Sequence, residues 1–118
     1  MTRIYKLIDR GRWEQALAQG RFEGAGADLT DGYIHFSTAD QAAETARRYF
    51  AGQPDLLLLT LETDGWPSRT AAALRWEPAR GGALFPHLYG PLDPALVIET
   101  RALTLAEDGA PDLGRLEP

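Results

Sequence analysis

The chain reads as an α+β domain with two helices in its first half and a mostly antiparallel, split sheet. Three observations predict this. Helix-period patterns are confined to residues 10–18 and 38–51. Residues 55–62 contain Leu-Leu-Leu-Leu-Thr-Leu, a continuous apolar run that fits a central strand covered on both faces. The second half holds short β patterns between turn residues and lacks the long hydrophobic helices that a doubly wound parallel sheet needs.

Residues 3–8 form the first strand, with Ile4, Tyr5, Leu7 and Ile8 apolar or aromatic. Asp9 is placed to cap a helix over residues 10–18, and Gly20 ends it. Its predicted inner stripe is Trp13, Leu17 and Ala16. Glycines at 20, 24, 26 and 32 mark the stretch between as a long loop, read as a cover over a site. Residues 33–36 form the second strand. Thr38-Ala39-Asp40-Gln41 has the spacing of a capping box. It opens a helix that runs to about residue 51, with Ala42, Ala46, Tyr49 and Phe50 facing inward.

After the Leu-rich strand, Asp64-Gly65-Trp66-Pro67 makes a turn. Leu74-Arg75-Trp76-Glu77 is a short strand with Arg75 and Glu77 on one face, closed by Pro78. Arg80-Gly81-Gly82 turns the chain into a strand over residues 84–89. Gly90-Pro91 and Asp93-Pro94 turn it again, and residues 95–103 form the last strand. Residues 1–105 are expected to be a single domain. Residues 106–118, acidic with Gly and Pro, are expected to be a frayed tail.

The net charge is −5 and the pI about 4.9. That argues against a nucleic-acid partner, which needs a basic footprint. No apolar run approaches the length of a membrane span, so no membrane partner is expected. The N-terminus has no signal-peptide pattern, and the cytoplasm is the expected compartment. The absence of cysteine excludes a thiolate metal site and a thiol nucleophile. Lys6 is the only lysine, against eleven arginines. A compact, rotatable ammonium on an apolar strand suits a site; a snorkelling edge residue is the plain alternative.

Both histidines sit in short aromatic motifs, Tyr33-Ile34-His35-Phe36-Ser37 and Phe85-Pro86-His87-Leu88-Tyr89. In extended chain, alternation puts Tyr33, His35 and Ser37 on one face and Ile34 and Phe36 on the other. Phe85, His87 and Tyr89 likewise share a face opposite Leu84, Pro86 and Leu88. Each segment can bury one side and present an imidazole and an aromatic ring on the other, which is how a small domain lines a ligand cleft. One such histidine alone is more often structural; two motifs of one design bring a site and a structural role level.

Tyr5-Lys6-Leu7, Asp31-Gly32-Tyr33-Ile34-His35-Phe36-Ser37-Thr38 with Gln41, and Trp76-Glu77-Pro78 through Gly90-Pro91-Leu92 resemble a bacterial family, DUF952, over roughly residues 3–104. Members of that family are similar in fold to ADP-ribosyltransferases, a split β-sandwich clasping a cleft. The resemblance implies Lys6 at about the position of the first-strand His or Arg of those enzymes, and the His35 motif at their second-strand motif. The later strand carries His87 where the transferases carry Glu, and Glu77 lies one strand earlier. An imidazole cannot stand in for that carboxylate anion, so ordinary NAD-dependent transfer does not follow.

The leading expectation is a cleft for a small anionic or nucleotide-like molecule. His35, His87 and Glu77 are the catalytic candidates. Tyr5, Lys6, Tyr33, Ser37, Thr38 and Tyr89 are the ligand-binding candidates. Tyr33 and Tyr89 would stack on a ring, Lys6 would neutralise an anion, and Ser37 and Thr38 would supply donors at a helix start. The residues name no cofactor. The alternative is a non-catalytic interaction or structural domain. A metal site of His35, His87 and Glu77 is disfavoured, because histidines on separate strands lack a local metal-motif spacing.

Overall fold

In the computed structural model, which describes residues 2–118, the first strand is β1 (Arg3–Asp9) and leads directly into α1 (Arg10–Gln19). Asp9 caps α1 by accepting the backbone N–H of Arg12, and Gly20 ends it in the left-handed region at φ 75°. The stretch expected to be a long covering loop contains a short helix, α2 (Ala27–Asp31), flanked by Gly26 and Gly32. Gly24 is required here, because a Cβ at that position would lie 2.8 Å from the Asp28 Cβ. α2 delivers the chain to β2 (Ile34–His35), and Thr38 with Gln41 forms the capping box of α3 (Ala39–Tyr49).

The Leu-rich run is β3 (Leu56–Glu62), paired antiparallel with β1 on one side and with β6 (Val97–Ala102) on the other. Its two faces bury different layers. Leu57, Leu59 and Leu61 join Ile4 and Ile8 in a core completed by Trp13, Phe22, Ile34, Phe36 and Leu88. Leu56 and Leu58 join Tyr5 and Leu7 beneath Ala42 and Ala46 of α3. Coverage on both sides is why residues 56–59 are apolar at every position, with polar Thr60 and Glu62 only toward the strand's end.

A second antiparallel sheet has the order β2-β5-β4, with β4 at Leu74–Pro78 and β5 at Leu84–Leu88. The two sheets touch through a bridge between Tyr5 and Ser37. Gln41 ties them further: its amide nitrogen donates to the Leu84 carbonyl at 2.7 Å. No helix among the described residues is long and apolar enough to cross a membrane.

Four expectations need correction. A further helix, α4 (Ser68–Ala73), lies in the second half, where Ser-Arg-Thr-Ala-Ala-Ala follows Pro67 and buries none of its residues. Lacking an apolar stripe, it gives no periodic signal. Leu17 of α1 and Tyr49 of α3 are exposed, at 53% and 64%, while small Ala16, Ala42 and Ala46 are buried on the inner faces of those helices. Residues 106–118 fold back instead of fraying. β8 (Pro111–Asp112) pairs with β7 (Thr104–Leu105), Leu113 is buried in the α3 core, and Arg101 donates to the Leu113 carbonyl. Finally, Leu84 begins β5 exposed, while Pro86 and Leu88 on the same face are buried.

Replacing Leu59 with Ala empties a fully buried site touched from both sheets and is expected to lower unfolding stability by about 2–5 kcal/mol. Leu17→Ala, on the exposed side of α1, is expected to change it by less than about 0.5 kcal/mol. Denaturant unfolding of the two variants checks the contrast.

Candidate functional site

The space between the two sheets, roofed by α2 and α3, is a cavity of about 590 Å³. Of the nine residues named from the sequence, six line it: Tyr5, Lys6, Tyr33, His35, Ser37 and His87. Thr38, Glu77 and Tyr89 do not. Thr38 is occupied as the cap of α3. Glu77 and Tyr89 stand behind His87 and act on it.

The two histidines are register partners across β2 and β5. Their ring centroids are 5.5 Å apart. Tyr33 packs against both, at 4.6 Å from His35 and 4.2 Å from His87, and lies 5.0 Å from Tyr89. The alternation read from the sequence thus converges on one aromatic cluster. Burial, with the charges of Asp31 and Glu77, pushes the Tyr33 hydroxyl above its ordinary range.

The two imidazoles have different surroundings. His35 is held at both nitrogens. Nδ1 lies 2.6 Å from Asp28 Oδ1 and Nε2 lies 2.9 Å from Asp31 Oδ2. Asp28 is itself saturated. Its Oδ1 also accepts the His35 backbone N–H at 3.0 Å, and its Oδ2 accepts the Ala25 N–H and the Lys6 ammonium, each at 3.0 Å. Lys6 donates a second bond to the His35 carbonyl at 2.9 Å, with the rings of Phe22 and Phe36 each 5.9 Å away. Lys6 therefore neither snorkels nor stands free for an anion.

Burial would push the Asp28 carboxyl up. The His35 hydrogen bond, the Lys6 charge and the two backbone donors outweigh it and hold the group down at about 2. Burial pulls the Lys6 ammonium below its ordinary range, and Asp28 returns only part of that.

His87 is held at one nitrogen. Its Nδ1 lies 2.8 Å from Glu77 Oε1, which also accepts the Tyr89 hydroxyl at 2.7 Å. A carboxylate only accepts, so Nδ1 carries the hydrogen of that bond and the Nε2 of the neutral ring holds a lone pair. Nε2 has no hydrogen-bond partner among the described residues. The bonds from Tyr89 and His87 hold the Glu77 carboxyl below its ordinary range, against a smaller opposing effect of burial. The same bond to Glu77 raises the Tyr89 hydroxyl. The Arg75 guanidinium lies over the Tyr89 ring at 4.7 Å and closes the group from outside.

Asp28, Asp31, Thr45 and Arg80 are among the lining residues that the sequence did not mark as site residues. A signal existed for the two aspartates, which lie seven and four residues before His35 between helix-bounding glycines. Thr45 on α3 and Arg80 in a turn gave none. Among the described residues no group of three or more His, Cys, Asp or Glu side chains is arranged to hold a metal ion.

These features define an α+β domain with a polar, aromatic-walled cleft between two small antiparallel sheets. The chain belongs to the family described as Protein of unknown function (DUF952), which matches residues 7–100. It is similar to protein CC0527 from Caulobacter crescentus. A crystal structure of a two-site mutant of that protein has a TM-score of 0.89 at 48% identity, and another crystal structure has 0.87 at 48%, each covering 95% of both chains. Its solution structure has a TM-score of 0.83 at 49% identity, covering 97% of this chain and 95% of that one. No curated protein matches.

The Asp28 network sets a pH dependence. A carboxyl held at about 2 against an ordinary 3.8 contributes about 2 kcal/mol of stability. The folded-state pKa is depressed, so this is fully present above about pH 4 and is lost as pH falls toward 2. Asp28→Asn is expected to flatten that part of the acid limb. At neutral pH it is expected to destabilise by about 3–5 kcal/mol, because the buried Lys6 charge loses its counter-ion. Denaturant melts at pH 7, 4 and 2.5 measure both effects.

Proposed function

We propose that the cleft binds a small anionic or nucleotide-like molecule, and that His87 is the side chain that meets it. The observation that carries this reading is the unpartnered Nε2 of a buried imidazole whose other nitrogen is fixed by Glu77. A ring held in one tautomer by a carboxylate is the arrangement in which histidine takes or gives a single proton. Tyr33 supplies a flat wall beside it for a ring of the ligand. Glu77 is then a positioning residue for His87 and not a direct contact. Tyr89 helps hold Glu77 in that place.

The ADP-ribosyltransferase-like arrangement belongs to this proposal. Two three-stranded sheets clasping a cleft, Lys6 on the first strand, the His35 motif on the second and α3 behind it support the likeness. Glu77 is absent from the cavity wall. The proposed chemistry therefore rests on imidazole and does not follow the carboxylate-dependent transfer of those enzymes.

A structural reading is favoured by one observation and only for half of the cluster. His35 is saturated by two carboxylates and joins α2, β1 and β2. It is a fastening of the fold, and the ligand role falls to His87.

Calorimetry against NAD, ADP-ribose and inorganic phosphate tests the cleft. At least one is expected to give saturable heat. His87→Ala should weaken it about tenfold or more, the scale of a lost hydrogen bond to a charged or polar ligand, with thermal unfolding little changed. No heat from any of the three, together with a large loss of stability in His87→Ala, would make His87 structural as well.

A further inference from the structure

We propose that Arg80, with Thr45 and Ser37, forms a seat for an oxyanion, the phosphate or carboxylate of the small molecule. This rests on the cleft reading and names the group that the Arg80 side of the cavity receives.

Arg80 lies in the turn between β4 and β5, a single 3-10 turn at Arg80–Gly82. Gly81 and Gly82 both have positive φ, 66° and 83°, which lets the chain reverse within three residues. The guanidinium is aimed into the cavity by two rings, at 4.9 Å from Phe85 and 5.6 Å from Tyr49. One nitrogen, NH2, donates to Thr45 Oγ1 at 2.8 Å. The other, NH1, is buried and has no hydrogen-bond partner among the described residues. A buried charged donor without an acceptor is unfavourable unless something else supplies one.

No carboxylate forms an ion pair with Arg80 among the described residues. The acidic groups along the same wall are already engaged. Asp28 holds Lys6 and His35, Asp31 holds the other side of His35, and Asp9 lies 3.7 Å from Arg12. Lys6, the sequence's first candidate for an anion, is neutralised internally. Arg80 is the lining cation whose charge stays uncompensated.

The hydroxyls beside it extend the donor set. Thr45 Oγ1 and Ser37 Oγ are 3.1 Å apart. Arginine only donates, so Thr45 accepts from Arg80. Only one of the two hydroxyl hydrogens can then lie between the two oxygens. Whichever way that bond runs, one hydroxyl hydrogen finds no acceptor among the described residues. The seat thus presents the guanidinium N–H pair of NH1 and one unengaged O–H. A cationic donor pair beside a hydroxyl hydrogen matches an oxyanion and repels a cation.

The test is 15N-resolved NMR of the whole chain with inorganic phosphate and, separately, acetate, at constant ionic strength set with chloride. Saturable shifts are expected at Ser37, Thr45 and Arg80 with one or both anions. Arg80→Ala should weaken the binding at least tenfold. Arg80→Gln, which keeps the stem against Phe85, serves if the first variant fails to fold. Thr45→Val should weaken the binding severalfold. No saturable shift with either anion, or shifts unchanged in the Arg80 variants, overturns the seat. AMP against adenosine separates the two proposals. Equal binding of both, with shifts at Tyr33 and His87, would sink the seat and leave the cleft. Phosphate at Arg80 with no response of Tyr33 or His87 to AMP would sustain the seat and sink the shared cleft.

Discussion

The buried ion pair of Lys6 and Asp28 is the constraint around which the two sheets are arranged. Lys6 sits on the β1 face shared with Ile4 and Ile8, where an ammonium without a partner would be expelled or neutralised. Asp28 reaches it only because α2 folds over the gap, and α2 is placed by the glycines at its two ends. The same carboxylate then takes both the ring and the backbone N–H of His35. One side-chain pair therefore fixes β1, α2 and β2 relative to one another. Replacing such a pair by well-packed apolar residues often leaves stability unchanged or improved. In this chain the pair ties β1 to α2, and the second Lys6 bond ties β1 to β2.

That fastening makes the two histidines unlike, although their motifs look alike. His35 is spent on the frame. His87, directly opposite, lines the cavity and is held at Nδ1 by Glu77, which Tyr89 also bonds; its Nε2 has no hydrogen-bond partner among the described residues. The Tyr33 ring packs against both imidazoles. Arg80, on the same cavity wall, forms no ion pair among the described residues, and its NH1 is buried without a hydrogen-bond partner there. The cleft wall thus differs along its length, with polar groups engaged with one another around His35 and an unpartnered donor at Arg80.

Much of this was legible in the sequence, and what was missed has physical causes. The Leu-rich strand, the caps at Asp9, Gly20 and Thr38, and the alternation that puts His35 and His87 on cleft-facing sides all follow from local chemistry. The pairing partners do not. Nothing local says that Asp28 will meet Lys6, or that Glu77 will bind His87 instead of lining the cavity. These depend on strand register. α4 escaped because a helix that buries nothing leaves no periodic stripe. The tail escaped because its anchoring needs only one buried leucine, Leu113, and backbone bonds that composition does not encode. Arg80 escaped because an arginine beside two glycines reads as an ordinary turn.

The asymmetry of the two imidazoles is the central claim, and long-range 1H–15N NMR of both rings during an ADP-ribose titration tests it most directly. The account predicts that the Nε2 signal of His87 moves saturably while both nitrogens of His35 stay where they are. Movement of His35 with His87 silent would contradict it, since the group bound into the frame would then be the one that meets the ligand.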